Sequence, residues 1–234
     1  MLLLILCAAF AGPIPEETTQ LILGTAQHAD DSAATLQRFQ RDGQAWLPVG
    51  APIPARLGRE GLAWGIGLHP PQQGRQKAEG DWRAPAGAFR VGMAFGDDLL
   101  TPPPAWPMTP VTPRSLWVED PASALYNQHV VVPQGRALTD WEDGQRMRMG
   151  DDAHRLKAVI EHNTAAPAPG AGSAIFFHIW RRDGAAHTAG CTAMPAEAME
   201  SLLRWLQPEA TPVFVLLTEE DHTRLAEEWM LPSP

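Results

Sequence analysis

The residues with the clearest chemical potential are a thiol and an imidazole, Cys191 and His178, on neighbouring segments of the chain. Cys191 is one of two cysteines, and the other, Cys7, belongs to an apolar N-terminal run. A thiol becomes a nucleophile when a base removes its proton or when nearby positive charge favours the thiolate. A single cysteine is otherwise a small, buried apolar residue. The surrounding segments must therefore decide between a catalytic and a structural thiol.

Two predicted elements would position this pair. Residues 174–180 are nearly continuous in apolar side chains, which predicts a buried strand that carries His178. Residues 195–206 have an apolar stripe at helical spacing and a proline in the first turn, which predicts a helix after Cys191. The amides at its N-terminus would favour a thiolate. Gly190 would let the backbone approach a substrate closely, which predicts an oxyanion hole in this region.

The rest of the chain is predicted to be short strands joined by turns, because 20 glycines and 23 prolines interrupt it. Further strands are predicted at residues 20–25, 35–41, 44–49, 88–93, 155–161 and 213–217. Asp42-Gly43 predicts a hairpin turn, and Thr218 predicts the start of a short final helix. Residues 57–68 predict turns beside a binding surface, and the proline-rich residues 101–113 predict an ordered surface loop.

Composition narrows the class of protein. The formal net charge is −9 and no basic run is present, which argues against binding to nucleic acid or to anionic lipid. An apolar fraction of 44% supports one domain, which we assign to residues 12–234. Residues 1–11 are apolar, too short to span a bilayer, and end in a small-x-small pattern. We predict that they are a signal peptide and that the protein is exported. A buried first strand is the alternative.

Three motifs give a more specific indication because of their order along the chain. Residues 77–89 contain Glu-Gly-Asp and end in an aromatic, and residues 170–178 are a glycine-rich approach to a histidine. Residues 188–191 read Thr-Ala-Gly-Cys and precede the predicted helix. Together these motifs resemble the L,D-transpeptidase catalytic domain family, of the YkuD type, from about residue 57 to about residue 217.

This resemblance implies a mainly β fold, a β-sandwich with one main helix after the catalytic cysteine, with Cys191 at the mouth of a groove. Family members act on bacterial peptidoglycan, so the partners would be its stem peptides, in the periplasm or cell envelope. Cys191 would attack the carbonyl next to a terminal D-alanine, and His178 would transfer the proton. An amine of a second stem peptide would then accept the acyl group. Such a cysteine enzyme needs no metal and no organic cofactor.

The sequence also departs from the family pattern. Members usually have Ser-His-Gly-Cys, then an apolar residue and Arg or Asn, whereas this chain has Thr188, Ala189 and Ala193 at three of those positions. Two further functions therefore stay open: an L,D-carboxypeptidase, in which water replaces the amine, and a non-catalytic domain that binds the cell wall. An activated Cys191 predicts rapid alkylation and a pKa well below the usual value of about 8.5.

Other polar and aromatic residues near the motifs are candidates for substrate contacts. The polar candidates are Thr188, Thr192, His162 and Asn163. For His162, a structural hydrogen bond is the alternative. The aromatic candidates are Trp64, Trp82 and Tyr126, which could stack on glycan or peptide or simply pack in the core.

Two further groupings have mainly structural interpretations. Asp81 and Arg83 predict an ion pair that braces a loop, with direct substrate contact as the alternative. His178, His187 and Cys191 could suggest a zinc site, but their spacing matches no standard zinc pattern and no fourth ligand is evident. We therefore predict no metal centre.

Overall fold

The computed structural model describes residues 12–234, so the predicted signal peptide at residues 1–11 lies outside the described residues. The strands are β1 (Gln20–Ala26), β2 (Ala33–Asp42), β3 (Ala45–Arg56), β4 (Leu62–Trp64), β5 (Ala84–Gly96), β6 (Met108–Pro110), β7 (Ser115–Trp117), β8 (His129–Val131), β9 (Leu156–Ile160), β10 (Phe176–Ile179), β11 (Thr192–Met194) and β12 (Val213–Thr218). The helices are α1 (Asp140–Asp143), α2 (Ala196–Trp205) and α3 (Glu219–Leu225). Short 3₁₀ turns occur at Asp152–His154, Arg182–Gly184 and Pro208–Ala210.

Most strands belong to one sheet that closes on itself. Neighbouring strands follow the order β12-β1-β2-β3-β11-β10-β9-β5, and β5 also pairs with β12 to complete the ring. Strands β4 and β6 pair with β5, while β7 and β8 form a separate two-stranded ribbon. Closure removes exposed sheet edges. This architecture, with α2 as the main helix after Cys191, confirms the predicted mainly β fold class.

The main core joins the elements that position the candidate site. Phe177 of β10 and Phe214 of β12 are fully buried, with ring centroids 4.7 Å apart. Met199, Leu202 and Leu203 of α2 are buried in the same cluster, as the predicted apolar stripe requires. Strand β10 and helix α2 are therefore fixed against one common core.

Strand β10 has apolar contacts on both faces, as its continuous apolar sequence predicts. Phe177 points to the main core, and Phe176 points to the opposite face. There it packs in a second cluster with Trp117 and Met147. Both of these residues come from residues 97–155, which connect β5 to β9 and which we call the cap segment. The cap segment therefore covers the outer face of the sheet.

Several local predictions are confirmed, and the shortest strands were not predicted. Gly43 has a φ of 58° in the turn between β2 and β3. The Thr218 side chain caps α3 by accepting from the Asp221 amide at 3.0 Å. Strands β4, β6, β7, β8 and β11 have three residues each. Three residues are too few to show an alternating hydrophobic pattern in the sequence. These strands are recognised only by their pairing with a neighbouring strand.

Candidate active site

Cys191, which immediately precedes β11, and His178 of β10 face the same side of two neighbouring parallel strands. In the pairing of β10 with β11, His178 is opposite Ala193 and Phe177 is opposite Thr192. Paired side chains share a face, and alternate residues of a strand return to it. Cys191 precedes Ala193 by two positions and therefore projects on the face of His178. Both line a pocket of about 500 Å³, whereas a larger groove of about 760 Å³ elsewhere contains neither.

His178 is held in one orientation and one tautomer. The ring is buried, and its Nδ1 lies 2.7 Å from the carbonyl oxygen of Ile179. A carbonyl oxygen only accepts hydrogen bonds, so Nδ1 carries the proton and Nε2 of the neutral ring carries the lone pair. Burial, and then electrostatic repulsion between His154 and His178, lower the pKa of His178 to about 4. His178 is therefore a neutral base near pH 7.

A second histidine, His154, stacks on His178, with ring centroids 4.8 Å apart and an interplanar angle of 28°. Its Nδ1 lies 2.7 Å from Oδ1 of Asp151, and Oδ2 of the same carboxylate accepts from Arg181 at 2.7 Å. Burial opposes ionisation of Asp151, but hydrogen bonds from His154 and Arg181 outweigh it and lower the pKa to about 2. These contacts fix the ring of His154 beside His178, and burial lowers the pKa of His154 as well.

Protein atoms surround the Cys191 sulfur, although part of the residue is exposed. The Sγ atom lies 3.5 Å from the carbonyl oxygen of Ala174, to which the thiol donates. Burial raises the pKa of Cys191 to about 11, and a hydrogen bond from the Phe176 amide opposes this rise only partly. The thiol is therefore neutral near pH 7, and the prediction of a pKa well below about 8.5 is wrong.

Helix α2 also contributes less to the thiol than the sequence predicts. It begins at Ala196, after Pro195, and the three residues of β11 separate it from Cys191. These three strand residues alone span about 10 Å, and the effect of a helix dipole falls off within the first turn. The helix therefore supports the site by packing, through its buried stripe.

A tight turn sets the backbone of Cys191. The Thr188 hydroxyl accepts from the Gly190 amide at 3.0 Å and donates to the Cys191 carbonyl at 2.7 Å. Gly190 has a φ of +153°, and an added Cβ would lie 2.9 Å from the carbonyl oxygen of Arg83. Glycine is required here because the backbones approach so closely. The Thr188 hydroxyl is used within the turn, but Thr188 also lines the pocket, so its contact with substrate stays a prediction.

Asn127 links the cap segment to the backbone of Ala174, whose carbonyl oxygen accepts the hydrogen bond of the Cys191 thiol. Its Nδ2 donates to the carbonyl oxygens of His162 and Asn163 at 3.0 and 2.8 Å. Its Oδ1 accepts from the Trp117 indole at 2.9 Å and from the Ala174 amide at 3.1 Å. All four hydrogen-bonding positions of this buried amide are occupied. Asn127 and Ala174 both have positive φ angles, of 57° and 55°, as backbone near functional sites often does.

The motif at residues 79–81 braces the pocket wall. The Lys77 ammonium forms an ion pair with Asp81 at 2.5 Å. Glu79 accepts from the hydroxyl of Tyr126 in the cap segment. Burial, together with this contact, raises the pKa of Tyr126 to about 12. The motif therefore fixes the cap segment to the adjacent loop.

The predicted ion pair between Asp81 and Arg83 is wrong. Asp81 is paired with Lys77, although it also accepts from the Arg83 amide at 3.0 Å. The buried Arg83 guanidinium instead reaches Asp30 at 2.8 Å and the Leu62 carbonyl oxygen at 3.0 Å. The two side chains point to different partners, so each braces a separate contact of the loop.

Three further residues predicted to contact substrate do not reach the pocket. Thr192 is fully buried, because its neighbour Cys191 faces the pocket and alternate residues of a strand face opposite sides. His162 accepts from the Ile66 amide at 3.0 Å and donates to the Ala171 carbonyl at 2.9 Å. Burial lowers its pKa to about 4, and the structural alternative holds. Asn163 is buried and bonded to the backbone of its own loop.

Of the predicted aromatic contacts, only Trp82 is at the pocket. It is 43% exposed, and the Arg59 guanidinium lies 4.5 Å from its ring centre. Trp64 and Tyr126 are buried. His187 is an exposed residue at the pocket rim. An aromatic surface for substrate is therefore available at Trp82.

Comparison with known families identifies the domain. A family model described as the L,D-transpeptidase catalytic domain, YkuD, matches residues 28–215, which is more than half of the chain. The chain belongs to this family. Its members act on peptidoglycan, and the closed sheet with Cys191 at a pocket agrees with the β-sandwich fold of the family. No curated protein and no solved structure was found to match the chain.

Two further observations on the structure concern residues 12–234. Within this range, no group of three or more His, Cys, Asp or Glu side chains is placed to hold a metal ion. None of the helices in the same range is long and apolar enough to cross a membrane.

Three residues at the site were not predicted from the sequence. Asn127 and His154 belong to the cap segment, and no local pattern marks them as site residues. Lys157 does carry a signal, because it interrupts an apolar strand and is one of only two lysines in the chain. It lines the pocket beside Cys191.

We predict that Asn127→Ala lowers the free energy of unfolding by about 2 to 4 kcal/mol. The change leaves buried polar groups without partners and places alanine in a left-handed conformation. Urea denaturation measures the effect. The exposed neighbour provides the control, since Gln128→Ala changes stability by no more than about 0.5 kcal/mol. Equal stability of the two variants would refute the linking role of Asn127.

A second prediction concerns the pH dependence of thiol alkylation, measured in a Cys7→Ser background so that Cys191 is the only thiol. Only the thiolate reacts, and burial raises the thiol pKa. The iodoacetamide rate should therefore rise about tenfold per pH unit from pH 7 to about pH 10. The urea-unfolded protein should level off near its ordinary pKa of about 8.5. A plateau below pH 8 in the folded protein would contradict the neutral thiol.

Proposed function

We propose that this protein is a peptidoglycan L,D-transpeptidase that acts through a cysteine acyl-enzyme, with Cys191 as nucleophile and His178 as general base and acid. One observation carries the proposal. The thiol, on the residue just before β11, and the imidazole on β10 line one pocket on the same side of the sheet, and the Ile179 carbonyl leaves Nε2 of the ring unprotonated. Membership of the L,D-transpeptidase family supplies the reaction class.

Because Cys191 and His178 are both neutral at rest, the thiol proton moves while the new bond forms. As the Cys191 sulfur bonds to the carbonyl carbon of the stem peptide, Nε2 of His178 takes the thiol proton. The carbon–nitrogen bond to the terminal D-alanine then breaks, and the same proton passes to the leaving amine. The product of this half-reaction is a thioester on Cys191. Since both groups begin neutral, charge develops only during the reaction.

The second half-reaction uses the same two groups in reverse. The amine of an acceptor stem peptide attacks the thioester carbon and gives a proton to His178. The carbon–sulfur bond breaks, and His178 returns the proton to the sulfur of Cys191. The result is a peptide cross-link and a regenerated thiol.

The turn at residues 188–191 supports stabilisation of the oxyanion. Glycine at position 190 lets this turn pack closely against the Arg83 carbonyl, which fixes the backbone that leads to Cys191. The Gly190 amide already donates to the Thr188 hydroxyl. We therefore assign the principal oxyanion donor to the amide of Cys191, which follows it. An amide donor of this kind contributes about 10²-fold to 10³-fold in rate.

We also propose a domain organisation and a cellular location for the protein. We propose that residues 12–234 form one catalytic domain and that residues 1–11 direct it out of the cytoplasm. The substrate of the family is part of the cell wall, which supports a place in the periplasm or cell envelope. The exposed Trp82 at the pocket rim is the proposed surface for stacking against the peptide or glycan.

The proposal is tested with a tetrapeptide stem as donor, a second stem peptide as acceptor, and mass analysis of products and protein. The intact protein should carry a thioester adduct after exposure to a carbapenem, and cross-linked peptide should accumulate. Cys191→Ala should abolish both. His178→Gln should slow acylation by about 10²-fold to 10⁴-fold, because the base is lost.

The matched control is His187→Gln, which changes a rim histidine and should retain activity within about twofold. Trimmed peptide without cross-links would replace the transpeptidase with an L,D-carboxypeptidase. A folded protein that forms neither adduct nor product would leave only the wall-binding function. Activity that survives Cys191→Ala would refute the nucleophile.

A further inference from the structure

Lys157 is a buried cation in the catalytic pocket, and it forms no ion pair with the residues described here. Its side chain is 3% exposed, and its ammonium donates to the carbonyl oxygen of Met147. The other pocket-lining lysine and arginines each have a carboxylate partner: Lys77 with Asp81, Arg146 with Asp143, and Arg181 with Asp151. Lys157 therefore differs from these three residues, because within the described residues its ammonium has no carboxylate partner.

The strand register places Lys157 in the row of the catalytic base. Lys157 of β9 is opposite His178 of β10, which is opposite Ala193 of β11. Paired side chains share a face, so all three project into the pocket face of the sheet. Neighbouring strands lie about 4.8 Å apart. The long side chain of Lys157 therefore reaches the space beside His178 and Cys191, where Ala193 carries no charge.

Several charged groups surround this ammonium without neutralising it by direct contact. Burial lowers the pKa of Lys157, while Asp97, Cys191 and Asp151 act in the opposite direction. Neither Asp97 nor Asp151 forms an ion pair with Lys157: Asp97 pairs with Arg148, and Asp151 pairs with Arg181 and His154. A buried charge without a counter-ion is costly. An anion that enters the pocket would offset this cost.

We propose that Lys157 binds the free carboxylate of the terminal D-amino acid, the residue that leaves when Cys191 is acylated. This inference rests on the proposed function, and it names a subsite for the leaving residue. The terminal residue has a carboxylate within a few bonds of the cleaved amide. Ion pairing with Lys157 would hold that amide next to the sulfur and would favour peptides with a free C-terminus.

The first test does not depend on peptide turnover. In the Cys7→Ser background, the alkylation rates of Cys191 with iodoacetate and with iodoacetamide are compared. The two reagents differ in carrying a carboxylate or a neutral amide. Lys157→Met should lower the iodoacetate-to-iodoacetamide ratio about fivefold to tenfold, because the anion loses its partner. Taking the ratio cancels any change in the thiol itself.

Arg146→Gln is the matched control, because it removes the same charge from an exposed, ion-paired position of the pocket. It should leave the ratio unchanged within about twofold. Lys157→Gln provides a second variant with a polar side chain of similar reach, and thermal melts establish that each protein is folded. An unchanged ratio in folded Lys157→Met or Lys157→Gln would overturn the proposal. An equal fall in Arg146→Gln would also overturn it, since the effect would then be general to the pocket.

The second test compares donor tetrapeptides that end in a free carboxylate or in an amide. The unmodified protein should have a KM about tenfold lower for the acid, and Lys157→Met should remove this preference by raising only the KM of the acid. Preference for the acid that persists in Lys157→Met would contradict the assignment. Failure of the unmodified protein to acylate with either peptide would instead refute the proposed function, and the alkylation ratio would still decide the anion site.

Discussion

The parallel register between β10 and β11 is the constraint on which the site depends. Because His178 is opposite Ala193, the preceding alternate residue, Cys191, must face the same side of the sheet. The same alternation sends Phe177 and Thr192 into the main core. A shift of one residue would exchange the two faces and bury the thiol. The apolar core on one face and the cap segment on the other therefore specify the catalytic geometry together.

The cap segment covers the outer face of the sheet, and the resulting burial changes the pKa values of the catalytic pair. Burial raises the pKa of Cys191 and lowers that of His178, so both groups are neutral when the protein is at rest. Asn127 holds the cap segment in place, because its buried amide joins this segment to the backbone at Ala174, whose carbonyl oxygen accepts the hydrogen bond of the thiol. Lys157 adds a charge with no ion-pair partner in the described part of the chain.

The sequence was informative about the site where chemistry and local pattern coincide. Cys191 and His178 could be predicted because a reactive residue type lies next to a clear buried strand or helix signal. Thr192 was misassigned because closeness in sequence to Cys191 does not reveal which face a residue of a three-residue strand occupies. Asn127 and Lys157 reach the site through long-range packing and strand pairing. Such contacts leave no periodic pattern, although a lysine within an apolar strand was a usable signal.

In the resting site, Cys191 is a neutral thiol and His178 is a neutral imidazole with its lone pair on Nε2. Nitrogen-15 NMR of the His178 ring tests this neutral pair most directly, in the folded protein at pH 7. We expect a protonated Nδ1 and an unprotonated Nε2, with the same pattern in Cys191→Ala. An imidazolium protonated at both nitrogens that becomes neutral in Cys191→Ala would show a thiolate–imidazolium pair, and the neutral resting pair would be refuted.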